Sequence, residues 1–178
     1  MYYSGIGSRQ TPQHIIDNMI ITAEWLATEG YILRSGNANG ADVAFGIGCD
    51  SVNGSSEIYL PYKNFNGGCR NSLHVSNKRI LKQATQIMKT LKPKTYTWNA
   101  KNTPYHQRNV FQVLGVNLNT PSKFVICYTA TGAESEHDIL TMQDSSGTST
   151  AIVLADRLGI PVINMFNANW LEKLEHIL

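Results

Sequence analysis

An α/β fold with a mostly parallel sheet is what three observations in this sequence predict. Short β-rich segments alternate with stretches of helical periodicity along the whole chain. Phe124-Val125-Ile126-Cys127-Tyr128 is a continuously apolar run, as a parallel strand covered on both faces requires. Small-residue turns stand between the strand ends and the helix starts. With 178 residues, the chain is expected to form one domain, 1–178, large enough to bury its own core.

The elements follow in order. Tyr2-Tyr3-Ser4-Gly5-Ile6-Gly7 reads as the first strand, and Thr11-Pro12 as an N-cap with proline at the first helical position. Ile15, Ile16, Met19, Ile20, Ala23, Leu26 and Ala27 recur at helical spacing, and Gly30 fits a C-terminal cap. Tyr31-Ile32-Leu33-Arg34 is the second strand, the segment 35–40 a turn-rich loop, and 41–48 the helix it feeds. Glu57-Ile58-Tyr59-Leu60 is a third strand stopped by Pro61. The Gly- and Asn-rich stretch from Tyr62 to Val75 is expected to be an irregular excursion and a candidate lid. Ser76 to Leu91 has helical periodicity ended by Pro93, and a second irregular stretch with Tyr96, Trp98, Pro104 and Tyr105 leads into a helix from Gln107 to Leu114. After the buried strand, Thr129 to Asp144 reads as polar loop. Gly147 opens a helix with apolar face Ala151, Ile152, Leu154, Ala155 and Leu158, closed by Gly159; 161–166 is the last strand and 169–178 a terminal helix. Strands and helices of these lengths imply right-handed crossovers and a Rossmann-like three-layer sandwich.

Composition excludes several classes. Hydrophobic content of 42% with 16% charged residues argues against disorder, and 15 basic against 13 acidic residues give only +2, too little overall field for charge-driven attachment to DNA or anionic lipid. Cys49, Cys69 and Cys127 are odd in number and form no CxxC pair, so neither a disulfide framework nor a zinc site is expected. Met1 leads straight into the strand pattern without a secretory leader, and no apolar run is long enough to span a bilayer. The expectation is a cytoplasmic protein without a membrane partner.

Three strand-to-helix turns carry the chemistry: Gly5 to Arg9, Ser35 to Asp42, and Asp144 to Ser149. In open α/β sheets ligands bind at that edge, where glycine lets backbone approach an anion, helix N-terminal amides point at it, and Ser, Thr or Arg add donors. Turns and caps use the same residues, so it is the coincidence of the three on one edge that points to phosphate. Gly7, Ser8 and Arg9, then Ser35, Gly36, Asn37, Gly40 and Asp42, then Ser146, Gly147, Thr148 and Ser149 are the candidate ligand-binding residues, completed by Lys63 and Thr129. Asp42 suits helix capping or loop bracing better than a ribose contact. His74, His106 and His137 lack a nucleophile or metal-spaced partner and suit packing or solvated roles. Glu134, Glu136, Asp138 and Asp144 read as a solvated acidic loop rather than a metal site, and no cofactor is expected. Tyr96, Trp98 and Tyr105 suit either base stacking or a cover for the core.

Gly7-Ser8-Arg9 with Thr11, Ser35-Gly36-x-Ala38-x-Gly40-x-Asp42-x-Ala44, Arg108-Asn109, and Ser146-Gly147-Thr148-x-Thr150-Ala151 with Ala155 together resemble the DprA/Smf side of the SLOG superfamily, over about Tyr3 to Met165. Leu60-Pro61-Tyr62 and Gln112-Val113-Leu114-Gly115 are similar to stand-alone DprA-like proteins of bacteriophages, which implies a phage or prophage origin. The resemblance adds Arg108 and Asn109 to the candidate ligand contacts and implies a homodimer or higher homo-oligomer. LOG-type phosphoribohydrolases of the superfamily carry P-G-G-x-G-T-x-x-E; here Gln143-Asp144-Ser145 replace Pro-Gly-Gly and Ala151 stands at the catalytic Glu. A methyl group accepts no proton. The function this implies is non-catalytic binding of a phosphate-bearing, nucleotide-derived ligand, with sequestration of a host immune nucleotide signal as the concrete form. A DprA-like single-stranded DNA-binding accessory and a LOG-like N-glycosidase with a divergent site are the alternatives.

Overall fold

A computed structural model of the chain describes residues 1–92 and 96–178; Pro93, expected to end a helix, lies outside the described residues. Along the chain run β1 (Tyr2–Gly7), α1 (Gln13–Thr28), β2 (Ile32–Ser35), α2 (Ala41–Ser51), β3 (Ser56–Tyr59), a 3-10 turn (Phe65–Gly67), β4 (Ser72–Leu73), α3 (Lys78–Thr90), α4 (Thr103–Leu114), β5 (Val125–Tyr128), α5 (Glu136–Thr141), α6 (Ser149–Arg157), β6 (Val162–Asn164) and α7 (Trp170–Ile177). All described strand pairs are parallel, in the order β4-β3-β2-β1-β5-β6. Ser4 of β1 lies opposite Arg34 of β2 on one side and Val125 of β5 on the other.

Side-chain alternation along the strands divides the core into two layers. Phe124, Ile126 and Tyr128 join α1, α2 and α7 in one cluster, with Tyr3 stacked on Phe124 at 5.7 Å between ring centroids. Val125 and Cys127 face the other way, into a cluster with α3, α4, α5 and α6. The sheet is therefore covered on both faces, the condition that the apolar Phe124–Tyr128 run anticipates. No described helix is long and apolar enough to cross a membrane.

Several elements differ from the sequence reading. Pro12, not Thr11, occupies the N-cap of α1, because the Thr11 hydroxyl instead donates to the Ser8 carbonyl at 2.7 Å and closes the turn after β1. The Tyr62–Val75 excursion contains a 3-10 turn and the short edge strand β4, whose two residues pair with Ile58 and Tyr59; two residues are too few for a periodic signal. α3 starts one turn-cap later than Ser76: the Asn77 side chain accepts from the Arg79 and Ile80 amides at 3.0 and 3.3 Å. α4 begins at Thr103 rather than Gln107, since Pro104 sits in its first turn, where a missing N–H costs nothing. The polar loop 129–144 contains α5, made stable at six residues by a capping box between Ser135 and Asp138. Its carboxylates are not freely solvated: Glu136 pairs with Arg157, Glu134 with Lys173, and Asp144 is buried.

Candidate functional site

Strand β1 is the point at which the sheet changes direction, with β2 on one side and β5 on the other. Ligand crevices in doubly wound sheets open beyond the carboxyl ends of strands at such a point. Here a cleft of about 460 Å³ opens there, lined from the β1 turn (Ile6 to Gln10), the start of α2 (Ala38, Asp42), α4 (Asn102, Tyr105, His106, Arg108, Asn109, Gln112) and the approach to α6 (Ser146, Gly147, Thr148).

Its floor is an ion pair. Arg108 Nη1 on α4 meets Asp42 Oδ2 in the first turn of α2 at 2.5 Å, with the side chains 9% and 3% exposed. Gly36 makes this meeting sterically feasible: a Cβ there would stand 2.5 Å from Asp42 Oδ2 and closer still to Arg108 Nη1. Gln112, with its carboxamide turned to satisfy both ends, accepts from Gly36 N at 2.9 Å and Arg108 Nη1 at 3.1 Å and donates to Asn109 Oδ1 at 3.0 Å. Arg108 Nε is buried without an acceptor among the described residues. Gly40, at φ +84, lets the start of α2 close on the β1 turn, since a Cβ would meet Ser8 O at 2.5 Å and Arg9 O at 2.8 Å. Ala41 N donates to that same Ser8 carbonyl.

The third wall is set from behind. Asn109 Nδ2 donates to Gly147 O at 2.7 Å, Asp144 Oδ1 accepts from Ser146 N at 2.8 Å, and Lys92 donates to Ser146 O and Ser149 Oγ. The amides of Gly147 and Thr148 have no acceptor among the described residues, and they stand at the positive end of α6. His106 lies between Thr150 Oγ1 at 2.6 Å and Tyr96 OH at 2.9 Å, packed edge-on against Tyr96 and Trp98. Burial, followed by the Lys92 and Arg108 charges, pushes its pKa down to about 4, so the imidazole is neutral at physiological pH. Arg9, exposed at the cleft mouth, stands 5.5 Å from the Tyr105 ring centroid, and Tyr105 packs on Tyr62 and Phe65.

Of the sequence-derived residues, the fold gathers Gly7, Ser8, Arg9, Asp42, Arg108, Asn109, Ser146, Gly147 and Thr148 around this cleft. Ser35, Gly36, Asn37, Gly40, Lys63, Thr129 and Ser149 are not among its lining residues. Ser35 is buried and donates to Gly5 O at 2.6 Å; Asn37 holds the 3-10 turn through Phe65 O at 3.1 Å; Thr129 is buried against Asn164; Ser149 closes back on Ser146 O at 2.6 Å. Lys63 is exposed on the excursion, no residue of which lines the cleft. Gly36 and Gly40 act as spacers behind the lining. Sequence reasoning missed Gln10, Ala38, Asn102, His106 and Gln112 and left Tyr105 open between base stacking and core cover; Asn102 and the α4 members recur at three- and four-residue spacing, a polar stripe that starting the helix at Gln107 conceals. Asp42 braces the site rather than capping α2, and Tyr96 and Trp98 cover His106. Among the described residues no group of three or more His, Cys, Asp or Glu side chains gathers to hold a metal.

No family model and no curated protein sequence matches the chain. Among solved structures, the fold is similar to that of DNA processing protein A from Helicobacter pylori, a structure described for that protein's single-stranded DNA binding mode, with a TM-score of 0.55 and 17% sequence identity over 99% of this chain and 72% of that one. The chain thus has a DprA-like α/β fold.

Proposed function

We propose that the cleft binds a phosphate-bearing, nucleotide-derived ligand and does not cleave it. The observation that carries this is Arg108: its guanidinium lines the cleft floor, held by Asp42 through Nη1, and its buried Nε–H has no acceptor among the described residues, so one charge-assisted donor is left unmatched at that wall. The free amides of Gly147 and Thr148 and the exposed Arg9 offer further donors, and about 460 Å³ lies within the range of ordinary small-ligand pockets. Ala151 is fully buried in the apolar cluster, and among the described residues the only carboxylate lining the cleft, Asp42, is committed to Arg108. Affinity without turnover suits sequestration of a signalling nucleotide such as a cyclic ADP-ribose isomer or a cyclic oligonucleotide.

The test is calorimetric titration with such nucleotides and with ADP-ribose, followed by denaturation and chromatography of what was bound. Recovery of intact ligand is expected. Recovery of cleaved product alone refutes non-catalytic binding.

Charge distribution favours a second reading, single-stranded DNA binding. Residues 58–133 carry eleven of the fifteen Lys and Arg and none of the thirteen Asp and Glu, a segregation that the net +2 conceals. Lys63, Arg70, Lys78, Arg79, Lys82, Lys89 and Lys101 in this segment are exposed. The DprA-like fold adds support by likeness alone. Filter binding across a salt series decides it, because phosphate contacts make affinity fall steeply with log salt. Absence of binding at low salt removes this reading.

A further inference from the structure

The Asp144–Ser149 turn stands between two cavities. Ser146, Gly147 and Thr148 line the cleft, whereas Asp144 and Ser145 line a second cavity, also of about 460 Å³, between α5, α6 and the end of α3. Its walls are apolar: Leu91, Ile139, Leu140 and Val153. Leu140 is 60% exposed, an apolar side chain left in water beside an apolar hollow.

The charges around this cavity are unequally satisfied. Both Glu136 carboxylate oxygens accept from Arg157, and Asp144 accepts from the Thr131 hydroxyl and the Ser146 amide. Lys92 has no ion-pair partner among the described residues. An ammonium has three protons to donate. Two go to Ser146 O and Ser149 Oγ, the Tyr96 ring centroid stands 5.5 Å from the ammonium, and no described oxygen takes the third proton. Burial pushes its pKa below the usual range for lysine, while Asp144 acts the other way. The cavity thus combines apolar walls with one under-compensated cation, and its acids are already engaged.

We propose that this second cavity is a ligand site for a small amphiphilic anion, an apolar ring or chain bearing a single acidic group that meets Lys92. The site is separate from the cleft and independent of what the cleft binds. It meets the cleft's walls through the Lys92 contacts to the Ser146 carbonyl and Ser149, the Asp144 contact to the Ser146 amide and the Tyr96 contact to His106.

The probe is 8-anilinonaphthalene-1-sulfonate, an aromatic body with one sulfonate, titrated by fluorescence and calorimetry into the native full chain. Binding at a single site is expected. Lys92→Met, which keeps the aliphatic stem and removes the charge, should weaken it by about tenfold or more, the effect of a lost charge-assisted hydrogen bond. Leu140→Asp places a carboxylate at the mouth on an exposed position, so the fold is retained, and it should weaken the probe to a similar degree. Binding unchanged by Leu140→Asp, with its thermal melt also unchanged, overturns the proposal. Displacement by inorganic pyrophosphate, or loss of binding in Arg9→Ala, would place the probe in the cleft and overturn it equally.

Discussion

Gly36→Ala adds one methyl group where the structure has no room for it. The new Cβ would lie 2.5 Å from Asp42 Oδ2 and 2.8 Å from Arg108 Cζ, with Arg108 Nη1 nearer still. Carbon and oxygen need more than 3 Å, so the guanidinium must leave its seat. Arg108 is then separated from an Asp42 carboxylate that is only 3% exposed. Breaking a buried pair by displacing one partner costs about 3–5 kcal/mol, and the lower end applies here because the freed guanidinium reaches water in the cleft. A loss of about 3 kcal/mol lowers the melting temperature by roughly 6–12 °C for a chain of this length. Urea unfolding followed by tryptophan fluorescence, with calorimetry alongside, measures it; the chain carries three tryptophans. Truncating Arg108 to Ala removes the closest clash and leaves only Asp42 Oδ2 for the methyl to displace, so the two substitutions should be non-additive by about 1–3 kcal/mol in a double-mutant cycle. A Gly36→Ala cost below about 1 kcal/mol, or full additivity with Arg108→Ala, refutes the steric reasoning.

Arg9→Ala should leave stability within about 0.5 kcal/mol of the parent, since Arg9 is exposed, yet weaken ligand binding by roughly 1.5–3 kcal/mol, the size of a charged hydrogen bond, read by calorimetric titration. His106 gives a pH dependence with a defined sign. Its folded pKa of about 4 lies below the unfolded value of 6.5, so between these values the unfolded chain binds a proton that the native one refuses, and stability falls as pH drops through that window. Urea midpoints measured from about pH 7 down to about pH 4 should show the fall, and His106→Gln should flatten it. Phe124→Ala, which empties a fully buried site stacked on Tyr3, should cost about 3–5 kcal/mol in the same denaturation assay.

Much of the fold was legible because local signals and tertiary demands agree. β5 is apolar on consecutive residues because helices cover both faces of the sheet. Gly30 and Gly159 stand at helix ends with φ of +80 and +66, conformations that glycine adopts without a Cβ penalty. Legibility failed where an element is short or its stabilisation comes from elsewhere. β4 has two residues, and its pairing with β3 depends on the path of the preceding excursion rather than on its own composition. α5 rests on the Ser135–Asp138 reciprocal cap, two polar residues that read equally well as loop.

At the cleft the division is sharper. The sequence alone determined that two Gly- and Ser-rich turns, 5–9 and 35–42, directly follow strands, which places them on one sheet edge once the strands are parallel; the third, 144–149, reads in the sequence as another strand-to-helix turn, but α5 intervenes after β5, so it joins two helices and reaches that edge only through their packing. Only the tertiary structure decided which of those residues face the opening. Gly36 and Gly40 had to be glycine to let Arg108 and the β1 turn come close, and so they lie behind the lining rather than in it. It also packed α4 against β1, β2 and β3, adding Asn102, Tyr105, His106 and Gln112 to the cleft and seating Arg108 on Asp42, 66 residues away in sequence. Residue type and spacing are local properties, whereas the direction a side chain faces depends on helix phase and on the packing of elements distant along the chain.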